Sequence, residues 1–167
     1  MRKWYLVYSK PRQEKLAEIH LERQGYRVWL PRMRASRRRS GRWIEVIEPV
    51  FPRYLLIRLD AGGDNFSPIR STRGVSGLVR IGMEPAVVPD PVVERLRAAA
   101  DPASGLLLPA LAELHRGDPV EIIDGPLRGL RGIFQARSGE ERVLILLNIL
   151  GQGNRVKLSS HQVVAVR

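Results

Sequence analysis

The sequence of 167 residues contains no cysteine, and its three histidines, His20, His115 and His161, lie far apart. Without cysteine there are no disulfides, no thiolate metal ligands and no cysteine nucleophile, and the scattered histidines lack metal-ligand spacing. Paired carboxylates, a Ser/His/Asp arrangement and a P-loop are also missing at any useful spacing. We therefore expect no metal, no cofactor and no catalytic activity.

Long apolar runs are missing too. No run approaches the roughly 20 residues that a membrane span requires, and the first residues, MRKWYLVYSKPR, become charged too quickly for a secretory signal. We expect a monomer in the cytoplasm with no membrane contact. Hydrophobic residues make up 44% of the chain, which is enough for a packed core.

Basic residues are abundant but unevenly distributed. The net charge is +11, and residues 1–100 hold 20 Lys and Arg against 10 Asp and Glu, whereas residues 101–167 hold 8 against 7. A basic region coupled to a near-neutral one indicates nucleic acid as one partner and protein as another. The alternative is that Lys and Arg only keep the surface soluble.

The beginning of the chain predicts a strand followed by a helix. Residues 4–9 alternate in the period of two that is typical of a strand. Ser9 can cap a helix over Pro11–Gln24, and Gly25 stands where a helix ends in a left-handed residue. On that helix the i, i+3 and i+4 spacing places three polar side chains on one face: His20, Arg23 and Gln24.

Further strand patterns follow as far as residue 60. Residues 26–31 alternate again, residues 32–42 predict a basic hairpin tip with Ser40 and Gly41 in its turn, and WIEVIE and VFPRYLLIRL predict two more strands. A helix begins at Asp90 as its cap, with Pro91 just inside it. Residues 1–100 thus predict a mixed α/β (α+β) domain.

The last third of the chain has a different pattern. Residues 101–113 predict a linker, since they contain Pro, Ser and Gly without a charge pattern. Residues 114–167 hold five short apolar runs separated by DG, SGE, GQGN and SSHQ. These turn signals predict a small five-stranded β-barrel.

Several motifs resemble the NusG family of transcription elongation factors: FPRYLLI, TRGVSGLVRIG and, later, GDPVEIIDGPLRGLRGIF. The resemblance implies a NusG-type N-terminal domain, with an antiparallel sheet and flanking helices, followed by an SH3-like KOW barrel. WYLVYSK, HLERQ and EPVFPRYL are similar to the RfaH-type antiterminators within that family. Such proteins bind the clamp helices of RNA polymerase and the exposed non-template DNA strand, and suppress pausing and termination in specific operons.

The resemblance also implies roles for individual residues. The DNA-reading set would be Lys10, His20, Arg23, Gln24, Thr72 and Arg73, and the polymerase-binding pocket would be Tyr54, Leu56, Ile81, Val93 and Leu96. The chemistry suits the first set, because arginine can bond a guanine edge, glutamine an adenine edge, and lysine a phosphate. The alternatives are a solvated helix face for the first set and simple core packing for the second.

In the RfaH-type branch the KOW region can also form a helical hairpin that covers the polymerase site. The matching inter-domain residues are Glu48, Arg142, Phe134, Leu146 and Ile149. Three glycines oppose that state here, Gly132, Gly151 and Gly153, each at about 1 kcal/mol relative to alanine in a helix interior. We therefore expect the barrel in the free protein. A loop motif that reads HTTT in that branch is NFSP here, at residues 65–68, so a second polymerase contact is in doubt.

Two other functions fit the same residues. One is a general NusG-like factor whose barrel contacts Rho or a ribosomal protein. The other is a KOW-bearing RNA-binding or ribosome-associated protein, which the basic hairpin at residues 32–42 would support.

Overall fold

The structure is a computed structural model that describes residues 1–108, 132–133, 136–151 and 156–157. Those ranges contain ten strands and four helices. The strands are β1 Arg2–Ser9, β2 Arg27–Trp29, β3 Arg32–Arg39, β4 Arg42–Pro49, β5 Tyr54–Asp60, β6 Val75–Leu78, β7 Arg80–Ile81, β8 Glu84–Pro85, β9 Val87–Val88 and β10 Val156–Lys157. The helices are α1 Glu14–Arg23, α2 Ser67–Arg70, α3 Asp90–Ala98 and α4 Gly139–Leu150.

The central sheet is antiparallel, with strand order β2-β5-β1-β6 and β9 also paired to β1. Because side chains alternate along a strand, β1 sends Leu6 to one face and Val7 to the other. Val7 joins a core with Leu21 of α1, and Leu6 joins a second core with Leu96 of α3 and Leu146 of α4. The predicted strand at residues 4–9 is confirmed, and it is buried on both faces.

The first helix begins later than predicted. Ser9 is the last residue of β1, fully buried, and its hydroxyl donates to the carbonyl of Lys10 instead of capping a helix. Arg12 has a φ of 61°, so the chain turns before α1 begins at Glu14. The helix ends as expected, with Gly25 at a φ of 92°.

Most of the residues predicted to form only the tip of a hairpin make up one of its two strands. Residues 32–39 form the whole strand β3, paired with β4 from Arg32↔Pro49 to Arg39↔Arg42. Only Ser40 and Gly41 make the turn, both with positive φ, which matches the twist of a two-residue hairpin. The turn residues are confirmed, and the strands leave Trp43 68% exposed among the arginines.

Residues 139–150 form α4, so the strand prediction for this segment is wrong. Ser138 caps the helix by accepting from the Glu141 N–H at 3.1 Å, and glutamates occupy its first turn, where they favour the helix dipole. Gly151 lies just after the last helical residue, so it does not carry the free-energy cost of a glycine inside a helix. The packing of Leu146 and Leu147 against the sheet outweighs the local β pattern.

Gly132 also fits the helical arrangement. It lies in a short helical segment, and a Cβ there would come within 3.3 Å of the Ile145 Cδ1. A larger residue would therefore crowd α4. The expectation of a barrel in the free protein is wrong for residues 139–150, which are helical. Gly153 and most of the predicted barrel, residues 114–167, lie outside the described residues.

The first residues of the predicted linker pack on the N-terminal domain. Leu106 and Leu107 are buried, the Leu107 N–H donates to the Arg32 carbonyl at 2.8 Å, and the Leu108 N–H donates to the Ala99 carbonyl at 2.7 Å. Residues 109–113 lie outside the described residues, and the domain division stays a prediction. Within the described ranges, no helix is long and apolar enough to cross a membrane.

Candidate functional site

The five residues predicted for the polymerase pocket lie on one face of the central sheet. Four of them are fully buried and one is partly buried, and all belong to a single apolar cluster from β5, β7 and α3: Tyr54, Leu56, Val93, Leu96 and Ile81. Burial raises the pKa of the Tyr54 hydroxyl, which is neutral at physiological pH. We call this surface the pocket.

Helix α4 covers the pocket. Its buried residues Val143, Leu146, Leu147 and Ile149 belong to the same apolar cluster as the pocket residues. The structure therefore brings together two of the predicted inter-domain residues, Leu146 and Ile149, with the surface they were expected to fill. The third apolar residue of that set, Phe134, lies outside the described residues.

Arg142 anchors α4 to the N-terminal domain. Its side chain is 3% exposed, and its Nη2 lies 3.3 Å from the Glu48 Oε1. Its Nε donates to the Val50 carbonyl at 2.7 Å and its Nη1 to the Ala136 carbonyl at 3.3 Å. The predicted Glu48–Arg142 pair is therefore present, and with the two backbone carbonyls each of the three guanidinium nitrogens has an acceptor.

Arg37 is a second partner of Glu48 that the sequence analysis missed. Its Nε donates to the Glu48 Oε2 at 3.0 Å and its Nη2 to the Oε1. Burial alone would raise the pKa of Glu48, but the hydrogen bonds and charges of Arg37 and Arg142 lower it below its ordinary value. Nothing in the pattern of β3, which carries five arginines, distinguishes Arg37 from its neighbours.

The pKa shift of Glu48 has a definite sign. A carboxylate with a lowered folded-state pKa contributes stability above its unfolded pKa and loses that contribution as the pH falls through the folded value. The pairing of Glu48 with Arg37 and Arg142 therefore contributes its full stability at neutral pH, and that contribution is lost in acid.

The predicted DNA-reading residues gather where α1 meets the loop before β6. The Gln24 Nε2 donates to the Thr72 Oγ1 at 2.7 Å and to the His20 carbonyl at 3.2 Å, and the Lys10 N–H donates to the Gly74 carbonyl at 2.8 Å. The more exposed members are Lys10, Arg23, Gln24 and Arg73, with His20 half-buried. We call this set the α1 surface.

Thr72 is buried, unlike the other predicted DNA-reading residues. It is 7% exposed, its hydroxyl donates to the Pro68 carbonyl at 2.8 Å, and it accepts from Gln24. Thr72 therefore orients the Gln24 amide and leaves the Gln24 carbonyl for a ligand. Sequence analysis could not separate these roles, because the residues are 48 positions apart.

Gly74 holds the loop close to α1. Its φ is +87°, and a Cβ there would come within 2.8 Å of the Ala17 backbone nitrogen. We expect Gly74→Ala to lower the free energy of unfolding by about 2–3 kcal/mol, from backbone strain and the clash. Chemical denaturation would measure this. Gly25→Ala is the matched control, because Gly25 has a similar φ of +92° and open space; an equal loss in both variants would contradict the close-packing argument.

The NFSP loop makes contacts within its own domain. The Tyr26 hydroxyl donates to the Asn65 carbonyl at 2.7 Å, and Phe66 packs edge-on against Tyr5 with ring centroids 5.4 Å apart. The loop stabilises the face opposite the pocket.

Comparison with known proteins defines the class. A family model described as "NusG: Transcription termination factor nusG" matches residues 2–97, which is more than half of the chain. The chain therefore belongs to the NusG family of transcription factors. The match covers both the pocket face of the sheet and the α1 surface.

Individual relatives carry the name transcription termination/antitermination protein NusG. The Thermus thermophilus protein is 28% identical over 96% of this chain and 97% of its own length. The Streptomyces virginiae protein is 25% identical over 96% of this chain, which spans 62% of the Streptomyces protein. A solved structure of Thermotoga maritima NusG is 24% identical, with a TM-score of 0.41 over 56% of this chain and 54% of that chain.

Proposed function

We propose that this protein is an RfaH-type elongation and antitermination factor. It binds the clamp helices of RNA polymerase through the pocket and the exposed non-template DNA strand through the α1 surface. The observation that carries the proposal is the position of α4, which occupies the pocket and is tied to Glu48 by Arg142. A cover over the pocket keeps the factor from polymerase until it is released, which suits an operon-specific factor.

The mechanism is a shift in populations rather than a chemical reaction. Contact with the DNA strand at a particular site brings the covered protein to polymerase and favours the state in which α4 has left the pocket. The bound factor then bridges the polymerase cleft and favours its closed, unpaused conformation, because it binds that conformation more tightly. Released residues 114–167 fold as the KOW barrel, which is then free to bind a protein such as a ribosomal protein.

A general NusG-like function is the second candidate. The named relatives favour it, since each is a termination/antitermination NusG protein, and its barrel would contact Rho or the ribosome. An RNA-binding role is the third, and the exposed Trp43 among the arginines of the hairpin favours it. Co-purification with ribosomes or free RNA instead of polymerase would favour the third candidate.

The decisive experiment measures binding to paused transcription complexes. The full-length chain is added to complexes stalled on templates whose exposed non-template strand differs in sequence, and the complexes are recovered and quantified. We expect recovery to depend strongly on that sequence. Equal recovery on all templates would indicate the general factor.

The same assay tests the α1 surface residue by residue. We expect Arg23→Ala to relax discrimination at one base by about 1–3 kcal/mol, since a bidentate contact reads a base edge. Gln24→Ala should relax it at another base by about 1 kcal/mol, since the Gln24 carbonyl accepts a single hydrogen bond while its amide stays with Thr72 and His20. Thr72→Val should resemble Gln24→Ala, because it removes the acceptor that orients the amide.

Lys10→Ala is the control in that series, since a phosphate contact should weaken binding to every template alike. If Arg23→Ala and Gln24→Ala also weakened all templates equally, the surface would bind phosphates without reading bases.

A further inference from the structure

Three arginines converge on one tryptophan at the edge of the pocket. The guanidinium carbons of Arg27, Arg58 and Arg97 lie 5.7, 5.5 and 5.1 Å from the centre of the Trp4 ring. Arg97 also lies 5.2 Å from the Trp29 ring. We call this set of three arginines the arginine cluster.

Strand register builds the cluster. Arg58 of β5 pairs with Trp4 of β1 on one side and with Arg27 of β2 on the other, so the three residues form a row across the sheet. Side chains two residues apart on a strand lie on the same face of the sheet, so this row of residues is next to the row that contains Leu56, on the same face. Arg97 reaches the same row from α3. The cluster therefore borders the pocket directly.

The charges of the cluster are poorly compensated. Like charges directly opposite each other on neighbouring strands are unfavourable, and Arg27 and Arg58 form such a pair. Arg58 has a long ion pair with the exposed Asp90, whose Oδ1 is 3.9 Å from the Arg58 Nη1. In the part of the chain that the structure describes, no ion pair holds Arg27 or Arg97. Burial, together with the charges of Arg27 and Arg58, lowers the pKa of Arg97.

Stacking on Trp4 and Trp29 offsets part of this repulsion. Arg27 and Arg97 are exposed, so their in-plane N–H groups can bind an anion. Trp4 is 3% exposed, so its ring is closed to a nucleic-acid base. The neighbouring surface on the same face is apolar, which suits a protein segment and not a phosphate backbone. Carboxylates match the planar fork of arginine through paired hydrogen bonds.

We propose that the arginine cluster binds aspartate or glutamate side chains of the protein segment that enters the pocket. That segment would be amphipathic, with apolar residues for the pocket and acidic residues for the cluster. The inference rests on the proposed function for its partner, RNA polymerase, and adds the chemistry by which that partner is recognised.

The test uses full-length chains that all carry Glu48→Ala, which removes the ion pair to α4. Binding to immobilised core polymerase without nucleic acid is measured at several salt concentrations. We expect Arg27→Gln with Arg97→Gln to weaken binding about tenfold at low salt and to flatten its salt dependence, since paired charges are screened by ions. Arg70→Gln removes an exposed arginine on the other side of the sheet and should change neither quantity.

A variant with Arg27→Lys and Arg97→Lys shows whether a folding defect explains weaker binding. It keeps the charge without the planar fork, so we expect the salt dependence to be retained with an intermediate affinity. Unchanged affinity and salt dependence in the Arg→Gln variant would overturn the inference. So would loss of binding to a single-stranded DNA oligomer with polymerase binding intact, because the cluster would then be a phosphate site.

A second probe separates this inference from the proposed function. In this series the parent is the Glu48→Ala chain with all three arginines of the cluster. We expect an amphipathic helical peptide of Leu and Glu to bind this parent and to bind the variant with Arg27→Gln and Arg97→Gln about tenfold more weakly. Failure of the parent to bind polymerase counts against the proposed function. Equal peptide binding by parent and variant counts against the arginine cluster.

Discussion

Replacing Glu48 with alanine is expected to release α4 and to raise the affinity of the full-length chain for RNA polymerase about 100-fold. The variant leaves the Arg142 guanidinium buried without its carboxylate, and removing one partner of a buried ion pair costs about 3–5 kcal/mol. Glu48 is 23% exposed, so we take the lower end of that range, and about 3 kcal/mol corresponds to about 100-fold.

Backbone chemical shifts of residues 139–150 provide the direct measurement. We expect helical shifts in the parent chain and their loss in Glu48→Ala. Glu45→Ala is the matched control, because Glu45 lies on the same strand and pairs with Arg34 at 3.5 Å, but is 63% exposed. Helical shifts that persist unchanged in Glu48→Ala, together with unchanged polymerase binding, would contradict the role of the ion pair.

Under the proposed function, Arg37 makes the release of α4 less costly than it would otherwise be. When Arg142 leaves, Glu48 keeps its hydrogen bonds to Arg37, so no carboxylate is left unpaired in the open state. The two arginines therefore set the strength of the closed state together. The lowered pKa of Glu48 implies that acid weakens the closed state as the pH falls below the ordinary glutamate range, about 4.3.

Leu146→Ala is expected to shift the chain out of the closed state by about 2–5 kcal/mol, the usual cost of truncating a buried leucine. Leu146 is 1% exposed and packs in the apolar cluster that contains the pocket. Hydrogen exchange of the α4 amides would report the shift as a loss of protection, and polymerase binding should rise in parallel.

Leu144→Ala is the control for this change. Leu144 lies on the same helix and is 52% exposed, so its truncation should alter protection by only a few tenths of a kcal/mol. Equal loss of protection in the two variants would mean that helix propensity holds α4 in place, and not the packing of Leu146 in the pocket.

The apolar run of α4 shows why local pattern alone could not decide its structure. The segment VLILLNIL is apolar nearly throughout, and a short run of that kind fits a buried strand as well as a buried helix. Its β-branched residues and nearby glycines favoured the strand. The helix forms because one side of it fills the pocket, and Gly151 lies beyond its end.

The predicted DNA-reading set shows how far helical spacing can place residues. Helical spacing placed His20, Arg23 and Gln24 on one face, and the structure adds the loop that contains Thr72. The hydrogen bond between Gln24 and Thr72, which makes Thr72 an orienting residue, joins positions 48 residues apart. No local periodicity reports a contact of that separation.

The central strand, the turn at Ser40 and Gly41, the end of α1 at Gly25 and the resemblance to the NusG family could all be predicted from the sequence. These features depend on alternation, on backbone conformations that glycine favours, and on short motifs, all of which are local. The helix at residues 139–150, the sharing of Glu48 by Arg37 and Arg142, and the meeting of three arginines on Trp4 depend on the folded structure. Those outcomes depend on which distant surfaces bury each other, and the free energy of that burial exceeds the small local preferences that a sequence pattern records.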